Sequence, residues 1–171
     1  LDIDKNAPFI VIDVGGGSTE VSVFENGERI ASKSFNVGTI RIMKEKTDLN
    51  IWSDIHDWLL QHVDLSVVHQ IYATGGNINK IFKISRKSVG KPLTYFYLSS
   101  YYHNLKSFTY EERITKLGLN QDRADVIIPA LQIYLSSMKW SKAKHIYVPK
   151  IGLSDGIIKS IFYKKVSGKA L

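Results

Sequence analysis

Asp13-Val14-Gly15-Gly16-Gly17-Ser18-Thr19-Glu20 is bracketed by two short apolar runs, Phe9-Ile10-Val11-Ile12 and Val21-Ser22-Val23-Phe24. Both runs read as strands, so the glycines join strand to strand. Three consecutive glycines permit positive φ and leave backbone N–H groups with no side chain in front of them. A turn of that kind makes a concavity that takes an anion. Ser18 and Thr19 add hydroxyl donors beside it. Asp13 closes the first strand, where a carboxylate can hold Mg²⁺ or its waters. Glu20 follows the turn, where it can orient a water. A phosphate cradle, a metal ligand and a positioned water are the minimum for phosphoryl transfer to water. The stretch is not a P-loop, which needs Lys-Ser/Thr before a helix, nor a dinucleotide fingerprint, since its glycines join two strands. The plainer alternative is a tight glycine hairpin with incidental polar neighbours.

Outward from this stretch, Asn26-Gly27 is a hairpin signal. Arg29 to Val37 then alternates apolar and polar residues as a third strand does. The first forty residues thus read as an antiparallel meander. Ser53 is expected to cap a helix over 54–63. Val67 to Ala73 reads as a fourth strand, running into Thr74-Gly75-Gly76-Asn77 and a helix over 77–84. Backbone N–H groups at that helix start favour phosphate, although Gly-Gly there can also be only a compact turn. Residues 85–95 read as a loop, with Ser99 or Ser100 capping a helix through Ser107. A further helix runs from Tyr110 to Gly118, with Glu111 and Glu112 favourable to its dipole. Asp122 is expected to cap a long helix from Arg123 to about Lys139, kinked at Pro129. Lys144 to Pro149 reads as a fifth strand, Gly152 to Gly156 as a turn and Ile157 to Tyr163 as a last helix. The order predicts an α/β layer structure, a mixed five-stranded sheet with helices packed on it.

The composition narrows the partners. A length of 171 residues is one domain by the usual prior. Lysine and arginine number 23 against 16 acidic residues, a formal charge of +7 that favours anionic partners. The absence of cysteine excludes a disulfide scaffold, a thiolate zinc site and a cysteine nucleophile. The five histidines, His56, His62, His69, His103 and His145, show no zinc-ligand spacing. No apolar run approaches the roughly 18 residues of a membrane span, so a cytoplasmic protein with no membrane partner is expected. Lys80, Lys83, Arg86, Lys87 and Lys91 can contact a polyanion or simply form a solvated face. Tyr95-Phe96-Tyr97 with Tyr101-Tyr102 can stack a base or pack conventionally. The chain begins at Leu1, which reads as a piece of a longer protein.

Two glycine phosphate loops in this order resemble the C-terminal part of the actin-like core of the exopolyphosphatase and guanosine pentaphosphate phosphohydrolase (Ppx/GppA) family. The resemblance is carried by Asp13 through Glu20, by Val37-Gly38 through Arg41, and by Thr74-Gly75-Gly76. Arg123-Ala124-Asp125-Val126-Ile127-Ile128-Pro129-Ala130 is similar to the family's Arg-Ala-Asp helix, and Gly152 to Gly156 to its closing turn. It implies a ribonuclease H-like, actin-type ATPase fold. It also implies Mg²⁺-dependent removal of terminal phosphate from polyphosphate or guanosine pentaphosphate. Asp13 would be the metal-associated aspartate and Glu20 a catalytic carboxylate. Gly15, Gly16, Gly17, Ser18 and Thr19 would form the first phosphate loop, and Gly75, Gly76 and Asn77 the second. Arg123 would reach ligand phosphates, or alternatively make a salt bridge at a helix start.

The same resemblance implies residues 1–7 as a linker from a missing N-terminal domain, 8–163 as the second actin-like domain and 164–171 as a basic tail. Domains of this kind often pair, so a homodimer is among the expected partners. Three departures stand out. Residues 1 to 12 hold no glutamate to serve as the upstream base, Asn77 replaces the usual Thr or Ser, and Ser154-Asp155 replaces Arg-Glu. The first two-domain cleft would then be only half present in this chain. Two other readings are open: a non-catalytic polyphosphate or nucleotide sensor, and half of an actin-like ATPase or kinase. The Arg-Ala-Asp helix argues against the latter.

Overall fold

The computed structural model describes residues 7–48 and 50–149. The turn at 152–156, the helix at 157–163, the basic tail and most of the expected linker lie outside them.

The meander forms as its pattern requires. β1 (Phe9–Val14), β2 (Thr19–Glu25) and β3 (Glu28–Phe35) pair antiparallel in sequence order. Asn26 and Gly27 both take positive φ, 51° and 79°, the turn whose twist matches a hairpin. A short helix, α1 (Thr39–Met43), follows at once, and α2 (Ile51–His62) after it. β4 (Gln70–Thr74) then lies parallel to β1, with Thr74 opposite Asp13. α3 (Gly76–Ile84) leaves directly from its end.

The second half corrects several expectations. Ser53 lies within α2, where its hydroxyl donates to the Asn50 carbonyl; Asn50 holds the cap position. A two-residue strand, β5 (Leu93–Thr94), precedes α4 (Tyr95–Lys106). Thr94, not Ser99 or Ser100, caps α4 by accepting from the Tyr97 amide. α5 (Tyr110–Thr115) starts with a capping box between Thr109 and Glu112. The expected long helix is two, α6 (Gln121–Ala124) and α7 (Ile127–Trp140). The break at 125–126 places Pro129 in the first turn of α7, where a missing N–H costs nothing, so no kink is needed. β6 (His145–Tyr147) pairs parallel with β4 and antiparallel with β5.

Among the described residues the sheet therefore has six strands, not five, in the order β3-β2-β1-β4-β6-β5. Period-two alternation splits it into two faces. On one face Ile10, Ile12, Val14, Val21, Val23, Ile71, Ala73 and Ile146 join a single core. That core includes Ile55, Trp58 and Leu59 of α2, Ile78 and Ile81 of α3, and the buried stripe of α7. On the other face an aromatic row crosses the strands. Phe24 stacks on Phe9 at 4.7 Å, Phe9 meets Tyr72 edge-on at 5.4 Å, and Tyr72 stacks on Tyr147 at 5.4 Å. Asp13, Glu20 and Thr74 stand on this second face, at the end where β1 and β4 run into their glycines. No described helix is long and apolar enough to cross a membrane.

Candidate functional site

The first glycine loop is held by its carbonyls. The Thr39 amide donates to the Gly15 carbonyl, and the Ile40 and Arg41 amides both donate to the Gly16 carbonyl. Arg41 Nε donates to the Gly17 carbonyl at 2.9 Å. Within a trans peptide the next N–H points opposite to the carbonyl. The amides of Gly16, Gly17 and Ser18 are therefore turned away from α1, and among the described residues no hydrogen bond uses them. Successive N–H groups turned the same way make a nest for an anion.

This corrects one expectation about the glycines. None of Gly15, Gly16 or Gly17 has positive φ. What the loop needs is close approach, and Gly38 supplies it. A Cβ at Gly38 would stand 2.6 Å from the Gly16 carbonyl carbon and oxygen, inside contact with backbone.

The second loop does need positive φ. Gly75 sits at φ 116°, and a Cβ there would lie 2.8 Å from the Val14 carbonyl. The loop is thus pressed against the end of β1. Tyr134 of α7 lies underneath, fully buried, with its hydroxyl donating to the Thr74 carbonyl at 2.7 Å. Burial holds its phenol well above the ordinary tyrosine range, and the Asp13 charge adds to that, against a smaller opposing effect of the Val14 amide. One buried hydroxyl is therefore in reach of the ends of both strands.

Arg123 closes the site from α6. Gly76 has no side chain, and the guanidinium fills that space: a Cβ would fall 2.6 Å from Nη1. Nη1 donates to Asn77 Oδ1 at 3.4 Å, and Nε lies 3.5 Å from the Asp122 carboxylate. Asp122 is no helix cap here; Asn120 holds that position. A cleft of about 300 Å³ runs between the two loops, lined by Gly15, Gly16, Gly76, Asn77 and Arg123 with Thr39.

Asp13 and Glu20 face each other across β1 and β2, so both carboxylates project from one face. Glu20 Oε1 accepts from Ser18 Oγ at 2.7 Å and from Ser34 Oγ at 3.0 Å. The Ser18 hydroxyl is thus turned to the carboxylate, and its backbone amide is the part turned outward. Thr19 departs from expectation. Its hydroxyl donates to the Val37 carbonyl at 2.7 Å and is buried on the opposite face, so its side chain does not line the loop. Of the residues singled out, Gly15, Gly16, Gly76, Asn77 and Arg123 line the cleft, while Asp13, Gly17, Ser18, Glu20 and Gly75 do not. Gly38 and Arg41 were legible only as part of a motif. Tyr134 gave no signal, because an aromatic at helical spacing reads as core.

Residues 2–52 match the sequence model of the Ppx/GppA phosphatase family. No curated protein matches the chain. In fold the chain is similar to the type II variant of the Aquifex aeolicus Ppx/GppA phosphatase, with a TM-score of 0.74 at 22% identity. That match covers 91% of this chain and 57% of the other. It is also similar to an exopolyphosphatase from Cytophaga hutchinsonii, with a TM-score of 0.69 at 17% identity, covering 96% of this chain and 59% of that one. The chain therefore spans less than two thirds of these relatives. The fold is the actin-like one of the Ppx/GppA proteins, and the sequence resemblance to that family runs through the first loop and α1.

Proposed function

We propose that this chain carries half of the catalytic cleft of a phosphohydrolase acting on terminal phosphoanhydrides, those of inorganic polyphosphate or guanosine pentaphosphate. The observation that carries this reading is the parallel pairing of β1 with β4, which sets two glycine loops beside one cleft with Arg123 between them. Outward amides and a guanidinium bind phosphate oxygens, and the same donors stabilise the charge that spreads over them in transfer. The reaction is attack by water on the terminal phosphorus, with cleavage of its bond to the bridging oxygen. The bridging oxygen leaves on the shortened chain, and the water's proton passes to a base. That base would be a glutamate in the other half of the cleft, upstream of the residues of this chain.

Mg²⁺ suits the carboxylates present. No group of three His, Cys, Asp or Glu side chains among the described residues forms a ready metal cage. Mg²⁺ rarely uses one, taking one or two carboxylates together with waters and phosphate oxygens. Asp13 would hold it, and bound there it would offset phosphate charge. Glu20, fixed by two serine hydroxyls, would orient the water or the ion's hydration shell.

The test is phosphate release by the full-length protein with Mg²⁺ from polyphosphate, guanosine pentaphosphate and ATP, beside Glu20→Gln. Release from either of the first two, lost in the variant, supports the reading and identifies the substrate. Tight binding without release would make the protein a sensor, and preference for ATP would make it an actin-like ATPase or kinase.

A further inference from the structure

Beside the loop lies a second hollow of about 330 Å³, lined by Gly16, Gly17, Ile40, Arg41, Lys44 and Lys46. It meets the cleft between the loops at Gly16 and Ile40, which line both. Its ionisable lining is entirely cationic. Among the described residues none of Arg41, Lys44 and Lys46 takes part in an ion pair. Arg41 is fixed in place through Nε, which leaves its remaining guanidinium N–H groups uncommitted among the described residues. Lys44 and Lys46 are exposed where the chain leaves α1, and Glu45 between them takes positive φ, 53°. The floor is the Ile40 side chain, packed against Gly16.

A compact nucleotide tail would be satisfied by the two loops and Arg123. A long condensed-phosphate chain with its end in the cleft, where Asp122 is the one lining carboxylate beside Arg123, can continue over Gly16 and Ile40 into a hollow whose lining charges are all positive. We infer that the Arg41–Lys44–Lys46 hollow is a distal subsite for the phosphates remote from the terminal one, and that it makes affinity rise with chain length. This rests on the proposed phosphohydrolase reading and adds to it a residue set that selects linear polyphosphate.

The test is equilibrium binding of tripolyphosphate and of long-chain polyphosphate to the protein as wild type and as the double variant Lys44→Gln, Lys46→Gln. Glutamine keeps most of each side chain and removes only the charge. A second double variant, Lys139→Gln, Lys142→Gln, loses the same net charge from a basic hollow beside Tyr95, away from the loops. The first variant is expected to lose about tenfold more affinity for the long chain than for tripolyphosphate. Its long-chain binding should also become less sensitive to salt, by about two released counterions. The second variant should change the two ligands in parallel and only slightly. Equal losses for both ligands in the first variant, or equal long-chain losses in the two variants, would overturn the subsite and leave the catalytic reading standing. A wild-type protein that binds neither ligand would overturn both.

Discussion

Gly17 and Gly38 illustrate how adjacent glycines serve different ends. A Cβ on Gly17 would meet nothing within 4 Å, whereas one on Gly38 would collide with the backbone of Gly16 and Gly17. Gly17→Ala is therefore expected to fold with a stability change within about 0.5 kcal/mol. Its methyl group would occupy open space on the loop that is proposed to hold phosphate, so phosphate affinity should fall several-fold; calorimetric titration beside a thermal melt separates the two effects. Gly38→Ala should cost about 1–3 kcal/mol by overpacking and release the loop from α1, with phosphate binding lost as well. Sequence reading located both glycines but expected positive φ in the triple-glycine loop and gave no reason for Gly38, because dihedral freedom and close approach look identical in a string of letters. The same limit hid Thr19. A polar residue at a strand start has two faces to choose from, and the register that sends Glu20 outward sends Thr19 inward.

Helix caps show where local signals mislead. Ser53, Ser99 and Asp122 each looked able to cap, yet Asn50, Thr94 and Asn120 occupy those positions. Apolar periodicity fixes which face is buried but leaves the first turn ambiguous by several residues. Thr109 is firmer, since its hydroxyl and the Glu112 carboxylate cap reciprocally. Thr109→Ala should cost about 1 kcal/mol, read from a shift in denaturation midpoint at unchanged slope. β5 escaped notice because two residues carry no period. α4 makes a second prediction. Tyr101 is half-buried against the core, and burial together with Tyr97 pushes its phenol from 10.0 up to about 12. A raised phenol favours the protonated folded state, so the folded protein binds more protons than the unfolded one above pH 10. That stability is complete below about pH 10 and disappears as pH climbs through 12. Tyr101→Phe should therefore move the onset of alkaline unfolding upward in a circular dichroism titration.

At the scale of the whole molecule, adjacency of β1 and β4 is the feature that counts. Two glycine clusters sixty residues apart in sequence become neighbours only because a parallel crossover brings their strands side by side. The α/β alternation made that arrangement readable, and the family resemblance supplied its order. What stayed hidden was everything set by tertiary contact: the guanidinium of Arg123 against Gly76, the cationic hollow after α1, and the phenol below both loops. The proposed half-cleft has a kinetic consequence. This chain alone is expected to bind condensed phosphate yet release orthophosphate far more slowly than the full-length protein does. A malachite green assay on the two in parallel checks it, and brisk turnover by the chain alone would contradict the half-cleft reading.

Tyr134 gives the two loops a common anchor. Its hydroxyl grips the end of β4 and lies against the end of β1, deep in a packed helix. The spacing between the loops is thereby a fixed gauge, like the jaws of a locked caliper. Any opening and closing around substrate must then come from movement of this unit as a body, not from flexing between its loops. Amide exchange at Val14 and Gly75 should accordingly rise together in Tyr134→Phe, even where the fold is otherwise unchanged.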